Sequence, residues 1–154
     1  MSKNIKAINI VVIDDSEDDV FLIKEFLQTS SFKYKFNSFI NGKDGLDFLL
    51  NDDDETEIVL LDNNLPDTSG LSLLKKIQCL DKTPSVIFLT SSSDIDIAVE
   101  AMKLGAIDFW PKYKGYSQLN ETIERAYEKH YSISAKKNYE QSIQEIQSIL
   151  ESER

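Results

Sequence analysis

The stretch INIVVIDDSEDD, residues 8–19, changes character at its midpoint. Its first half is apolar and rich in β-branched residues, too short for a helix, and reads as a strand buried on both faces. Its second half is acidic but for Ser16. Ser16 with Asp19 three positions on fits a capping box, and acidic residues in a first turn complement the helix dipole. Val20, Ile23 and Leu27 then follow at helical spacing. Ser16 to Asp19 therefore read as the start of a helix. Asp14 and Asp15 stand before the cap, where the strand has just ended, and a helix start leaves them unexplained.

The same unit recurs along the chain. IVLL (58–61) and SVIFL (85–89) are further buried-strand runs; the alternation Tyr34, Phe36, Ser38, Ile40 and the run AIDFW (106–110) complete five. Between and after them lie helical spacings: Leu46, Leu49 and Leu50; Leu73, Ile77 and Leu80; Ala98, Ala101, Met102 and Gly105; Leu119, Ile123, Ala126 and Tyr127. Five βα units imply right-handed crossovers and a parallel sheet with helices on both faces. Such a sheet holds its ligand outside the carboxyl ends of the strands, near the point where strand order reverses. Those ends carry Asp14 and Asp15 after the first run, Asp62 after the third in LLDNNLPDTSG, Thr90 after the fourth, and Lys112 just past the fifth in DFWPKYKG.

At 154 residues, with 41% hydrophobic and 29% charged side chains, the chain is long enough for one domain with an ordinary core. No apolar run approaches the ~20 residues of a membrane span, and MSKNIKAINI lacks the pattern of a signal peptide, so a cytoplasmic location is expected. Cys79 is the single cysteine and has no disulfide partner within the chain. Its neighbours Leu74, Ile77 and Leu80 predict a buried thiol. A net charge of -10, with no Lys/Arg cluster interleaved with aromatics, argues against direct nucleic-acid binding.

Three carboxylates meeting at adjacent strand ends repel one another unless a cation neutralises them or a pKa rises. Mg²⁺ is the natural candidate: it takes one or two carboxylates, keeps waters and leaves room for a phosphoryl oxygen. A carboxylate so placed, Asp62, is able to accept a phosphoryl group if a metal and a cation offset the incoming charge. Thr90 offers that group a hydroxyl, and Lys112 an ammonium.

Taken together, VVIDDSEDD, LLDNNLPDTSG, VIFLTSSSD and GAIDFWPK resemble the receiver domain of two-component response regulators over roughly residues 7 to 128. The resemblance implies a flavodoxin-like doubly wound (βα)₅ fold with strand order 2-1-3-4-5, an order for which a member of this family is a standard example. It implies Asp62 as phosphoacceptor, Asp15 as a direct Mg²⁺ ligand, Asp14 as its partner through water, and Asn64 as a backbone-carbonyl ligand. Thr90 is implied as the switch hydroxyl, Lys112 as the ammonium bonded to the phosphoryl group, and Phe109 as the aromatic whose rotation reports phosphorylation on the face of the fourth helix, fifth strand and fifth helix. Pro66 and Gly70 match the turn into the third helix. In partners it implies a histidine kinase or phosphotransfer protein upstream and a downstream protein contact, with no membrane contact. The chain departs from the pattern where Tyr113, not proline, follows Lys112, and where Phe109 lacks the hydroxyl of the commoner tyrosine.

Other segments carry plainer expectations. NDDDETE (51–57) reads as a solvated connector without a metal site, and His130, the only histidine, as a helix-surface residue. No Gly or Pro occurs from Ser117 to Arg154, so the last helix outruns the fifth βα unit. The expected division is a receiver over residues 1–130 and a helical extension over 131–154. Within the extension Tyr139, Ile143, Ile146 and Leu150 form the seam of a short coiled coil, suited to a homodimer. Three functional readings follow: a self-modifying phosphoacceptor switch rather than a turnover enzyme, a Mg²⁺-dependent phosphohydrolase, or a receiver fold that binds without phosphorylation. The hydrolases that resemble haloacid dehalogenases need an acid two residues after the nucleophile, and Asn64 stands there.

Overall fold

The computed structural model describes residues 6–51, 55–91 and 95–152. Five strands, β1 (Ile8–Ile13), β2 (Tyr34–Phe39), β3 (Ile58–Asp62), β4 (Ser85–Thr90) and β5 (Asp108–Pro111), alternate with α1 (Glu17–Leu27), α2 (Gly42–Leu50), α3 (Gly70–Gln78), α4 (Ile95–Lys103) and α5 (Leu119–Ser152). All pairings are parallel and the order is β2-β1-β3-β4-β5, the flavodoxin-like order expected.

The pleat sends alternate residues of each strand to opposite faces. Ile8, Ile10, Val12, Ile58, Leu60, Ile87 and Leu89 face α1 and α5, meeting Ile23, Leu27, Leu119, Ile123 and Ala126. Val11, Ile13, Val59, Leu61, Val86 and Phe88 face the other three helices, meeting Leu73, Leu74, Ile77 and Ala101. The three central runs are apolar at nearly every position because both of their faces are covered. The edge strand β2 alternates and is only half-buried.

Order reverses between β1 and β3, both of which leave the sheet beside each other. Ile13 pairs with Leu61, so the next residue of each strand, Asp14 and Asp62, stand abreast at the switch point. The fifth strand runs from Asp108 to Pro111 rather than over 106–110, with Ala106 buried under the sheet's edge before it.

Three local expectations are corrected. Cys79 is exposed: α3 ends at Gln78, and Cys79 is the C-cap, where helical spacing no longer aims a side chain at the core. Glu57 is buried rather than solvated, its carboxylate accepting from Asn9 N–H (3.0 Å) and from the Tyr131 hydroxyl (2.8 Å); residues 52–54 of that acidic run lie outside the described residues. His130 is half-buried, its Nδ1 at 2.8 Å from Ser85 Oγ, and burial pulls its pKa below the usual value. These two contacts tie α5 to the amino-terminal end of the sheet, opposite the carboxyl-end rim.

Candidate phosphoacceptor site

Asp14 is fully buried. Its Oδ1 accepts from the Ser16 N–H at 2.9 Å, and its backbone N–H still belongs to the sheet, donating to Phe39 O at 3.0 Å. Asp15 is exposed beside it. Asp62, 5% exposed, ends β3. One carboxylate oxygen from each of Asp14, Asp15 and Asp62 comes within 4.8 Å of the others. Such a trio of hard oxygen donors, two buried and one facing solvent, fits a divalent cation of the Mg²⁺ type that retains waters on its open side. The same crowding acts on the acids themselves. Burial, with the Asp14 charge adding to it, pushes Asp62 up to about 6, and burial also raises Asp14 against the opposing pull of Lys112.

Lys112 supplies the one positive charge among these groups. Its Nζ stands 2.8 Å from Asp14 Oδ2, 3.0 Å from Asp19 Oδ2 and 3.3 Å from Asp62 Oδ1. Burial by itself would lower its pKa, but the bonds to Asp14 and Asp19 and the Asp62 charge outweigh that and keep it well above the ordinary lysine range. No described peptide bond is cis; Lys112 opens a 3₁₀ turn, Lys112–Lys114, that closes at Gly115. Gly115 has φ +68°, a left-handed conformation open to glycine, and its carbonyl accepts from Trp110 Nε1 at 2.9 Å, bracketing the loop.

The sequence assigns Asp19 mainly to a helix start. Ser16 does cap α1, accepting from Asp19 N–H at 3.2 Å, and the Asp19 carboxylate, which also receives a hydrogen bond from the Ser16 side chain, reaches the rim as well. It takes Lys112 on one oxygen and the Tyr116 hydroxyl, at 2.8 Å, on the other. Despite partial burial, those bonds hold its pKa below the carboxylate range. Tyr116 is buried, and burial and Asp19 both raise its pKa. Neither residue was identifiable as part of the rim from its own neighbours; the pairing spans 97 positions.

The loop after Asp62 is fixed by close approach. A Cβ on Gly70 would lie 2.4 Å from Asp62 O and 2.7 Å from Asn63 Cα, and Gly70 N–H donates to Asn63 O at 2.7 Å. Asn64 is exposed and bridges to Ser69, the α3 N-cap. Asp67 leaves the same loop to cap α2, accepting from Gly42 N–H (2.8 Å) and Lys43 N–H (2.9 Å). On the other flank Thr90, buried at the end of β4, opens onto an apolar groove of about 730 Å³ between α4 and β5, lined also by Ile95, Val99, Met102, Phe109 and Tyr113. Phe109 is 41% exposed on its wall. The structure thus gathers Asp14, Asp15, Asp62 and Lys112, with Thr90 at the neighbouring strand end; Phe109 stands apart, in the groove.

Residues 10–124 match the family described as response regulator receiver domain. The chain is 28% identical over 128 residues to the transcriptional regulatory protein ZraR of Escherichia coli, covering 83% of this chain and 28% of that protein. It is 29% identical over 142 residues to the DNA-binding transcriptional regulator NtrC of Proteus hauseri, covering 92% of this chain and 29% of the relative. It therefore spans less than a third of the length of these relatives. A solved response regulator receiver domain from Clostridium thermocellum superposes with a TM-score of 0.73 at 26% identity, over 82% of this chain and 98% of that one. Aspartyl phosphorylation within two-component signalling is inherent to the family. With the switch-point carboxylates, the strand order and the matched span in agreement, this chain belongs to the response regulator receiver family.

Proposed function

We propose that Asp62 accepts a phosphoryl group from a histidine kinase or phosphotransfer protein, in a Mg²⁺-dependent reaction that switches protein contacts on the α4-β5-α5 face. The observation that carries this reading is the trio Asp14, Asp15 and Asp62 within 4.8 Å, with Lys112 Nζ 3.3 Å from Asp62. In the transfer an Asp62 oxygen forms a bond to phosphorus as the P–N bond of the donor phosphohistidine breaks, its electron pair returning to the imidazole nitrogen. Bound Mg²⁺ would offset negative charge on the transferring group. Asp14, Asp15, Asp62 and the Asn64 carbonyl would hold it. Lys112 pairs with the phosphoryl oxygens, and Thr90 donates its hydroxyl to them. Thr90 lines the same groove as Phe109, and that shared wall is the route by which the modified site reaches the surface.

The chain is consumed as the substrate of this reaction, so it acts as a self-modifying phosphoacceptor switch rather than as a turnover enzyme. The receiver body spans residues 1–130 and an extension 131–154, whose described part is helical through Ser152 and pairs with a second copy. Among the described residues no helix is long and apolar enough to cross a membrane.

The test is intact mass after incubation with Mg²⁺ and acetyl phosphate. A single phosphoryl adduct is expected, absent in Asp62→Asn and absent with EDTA. A folded protein that takes no adduct, or one modified equally in Asp62→Asn, would overturn the assignment.

A further inference from the structure

Lys112 has three anionic partners, and they are not equivalent. Asp14 and Asp62 belong to the trio suited to a divalent cation, whereas Asp19 lies outside it, on the first turn of α1. A cation that neutralises the trio weakens the pull of Asp14 and Asp62 on the ammonium. A lysine head is a hydrated point charge on a flexible stem, and with those two partners engaged elsewhere it gains freedom to leave for solvent. Asp19 keeps its charge. We propose that Asp19, fixed by Tyr116, is the positioning residue that retains the Lys112 ammonium beside Asp62 once a divalent cation has taken the other carboxylates. The proposal rests on reading Asp62 as the phosphoacceptor.

The pair is built to hold still. Asp19 sends Oδ2 to Lys112 at 3.0 Å and Oδ1 to the Tyr116 hydroxyl at 2.8 Å, so its carboxylate plane is set from both sides. Tyr116 is 2% exposed and packs in the core layer that holds α1 and α5. It follows Gly115 directly, so the residue that fixes Asp19 and the residue that Asp19 fixes sit at opposite ends of one short loop. The Lys112–Asp19 pair is sheltered, with side chains 18% and 26% exposed, where a charge-assisted bond is screened less than at the surface. The cap bond itself runs from the Asp19 backbone N–H to Ser16 Oγ and does not need the charge of the carboxylate, which Ser16 also contacts through its side chain.

Asp19→Asn keeps the size of the side chain, the backbone cap and an oxygen able to accept from Tyr116, and removes only the charge facing Lys112. In protein labelled with ¹⁵N, the Lys112 ammonium signal is expected to survive saturating Mg²⁺ in the wild type, and to be lost to rapid solvent exchange in Asp19→Asn. Phosphoryl transfer from acetyl phosphate at saturating Mg²⁺ should slow by about tenfold in Asp19→Asn and by about threefold in Tyr116→Phe, as expected for loss of a charged and a neutral partner. In a Lys112→Ala background, Asp19→Asn should then change the rate by less than about twofold, because the only route of its effect is gone. Retention of the ammonium signal in folded Asp19→Asn would overturn the proposal, as would the same slowing with or without Lys112, which marks a purely structural role. If the wild type takes no adduct, it is the phosphoacceptor reading that fails, and the ammonium signal still decides whether Asp19 is the anchor.

Discussion

Asp62 sits where burial and the Asp14 carboxylate raise its pKa to about 6, against an ordinary value near 4. A folded-state pKa above the unfolded one favours the protonated fold. The contribution is complete below about pH 4 and is lost as pH rises through about 6. Without Mg²⁺ at pH 7 the charged Asp62 therefore costs on the order of 3 kcal/mol. Asp62→Asn should be more stable than the wild type by about that amount at pH 7, with the gap closing between about pH 6 and pH 4. Urea denaturation across this range checks it, and added Mg²⁺ should stabilise the wild type more than the variant. The strand-end residues of this rim were legible because each follows an apolar run directly. Asp19 and Tyr116 were not: the cap at Ser16 accounted for Asp19 locally, and a tyrosine within KYKGYS carries no mark of a partner 97 positions away.

Among the elements, the five strands and five helices followed from two periodicities, because central strands covered on both faces must be apolar throughout and helices covered on one face must not be. What periodicity leaves open is where an element stops. Cys79 falls on the helical spacing of α3 yet caps it, and Glu57 falls in an acidic run yet enters the fold, since Asn9 and Tyr131 meet it from distant segments. The turn from β3 into α3 is closed tightly around Gly70. Gly70→Ala would press a methyl against the Asp62 carbonyl, and the loop would have to move. A loss of roughly 2–4 kcal/mol in chemical denaturation is expected, together with weaker Mg²⁺ binding, because the displaced atoms are backbone rather than a flexible side chain.

Over the whole molecule, α5 is one unbroken helix of 34 residues, about 51 Å long at 1.5 Å per residue. Its buried residues end at Ala126, and from Ala135 through Ser152 every position is exposed. Tyr139, Ile143, Ile146 and Leu150 are all well exposed at the predicted seam spacing. A solvated helix of that length with an apolar stripe gains by pairing. Sedimentation should show concentration-dependent dimers that Ile143→Glu with Ile146→Glu abolishes, while leaving the far-ultraviolet spectrum of the body intact; a monomer at high concentration, phosphorylated or not, would remove the homodimer.

The clamp formed by Tyr131 on Glu57 and His130 on Ser85 gives that projecting helix a rigid mounting on the sheet. A helix held at its root behaves as a lever. From Ala135 to Ser152 it runs about 27 Å, so a tilt of about 5° at the mounting carries its tip roughly 2 Å sideways. A readjustment at that mounting too small to alter the receiver's outline would thus arrive at the far end of α5 as a displacement comparable to a helix shift at a subunit interface.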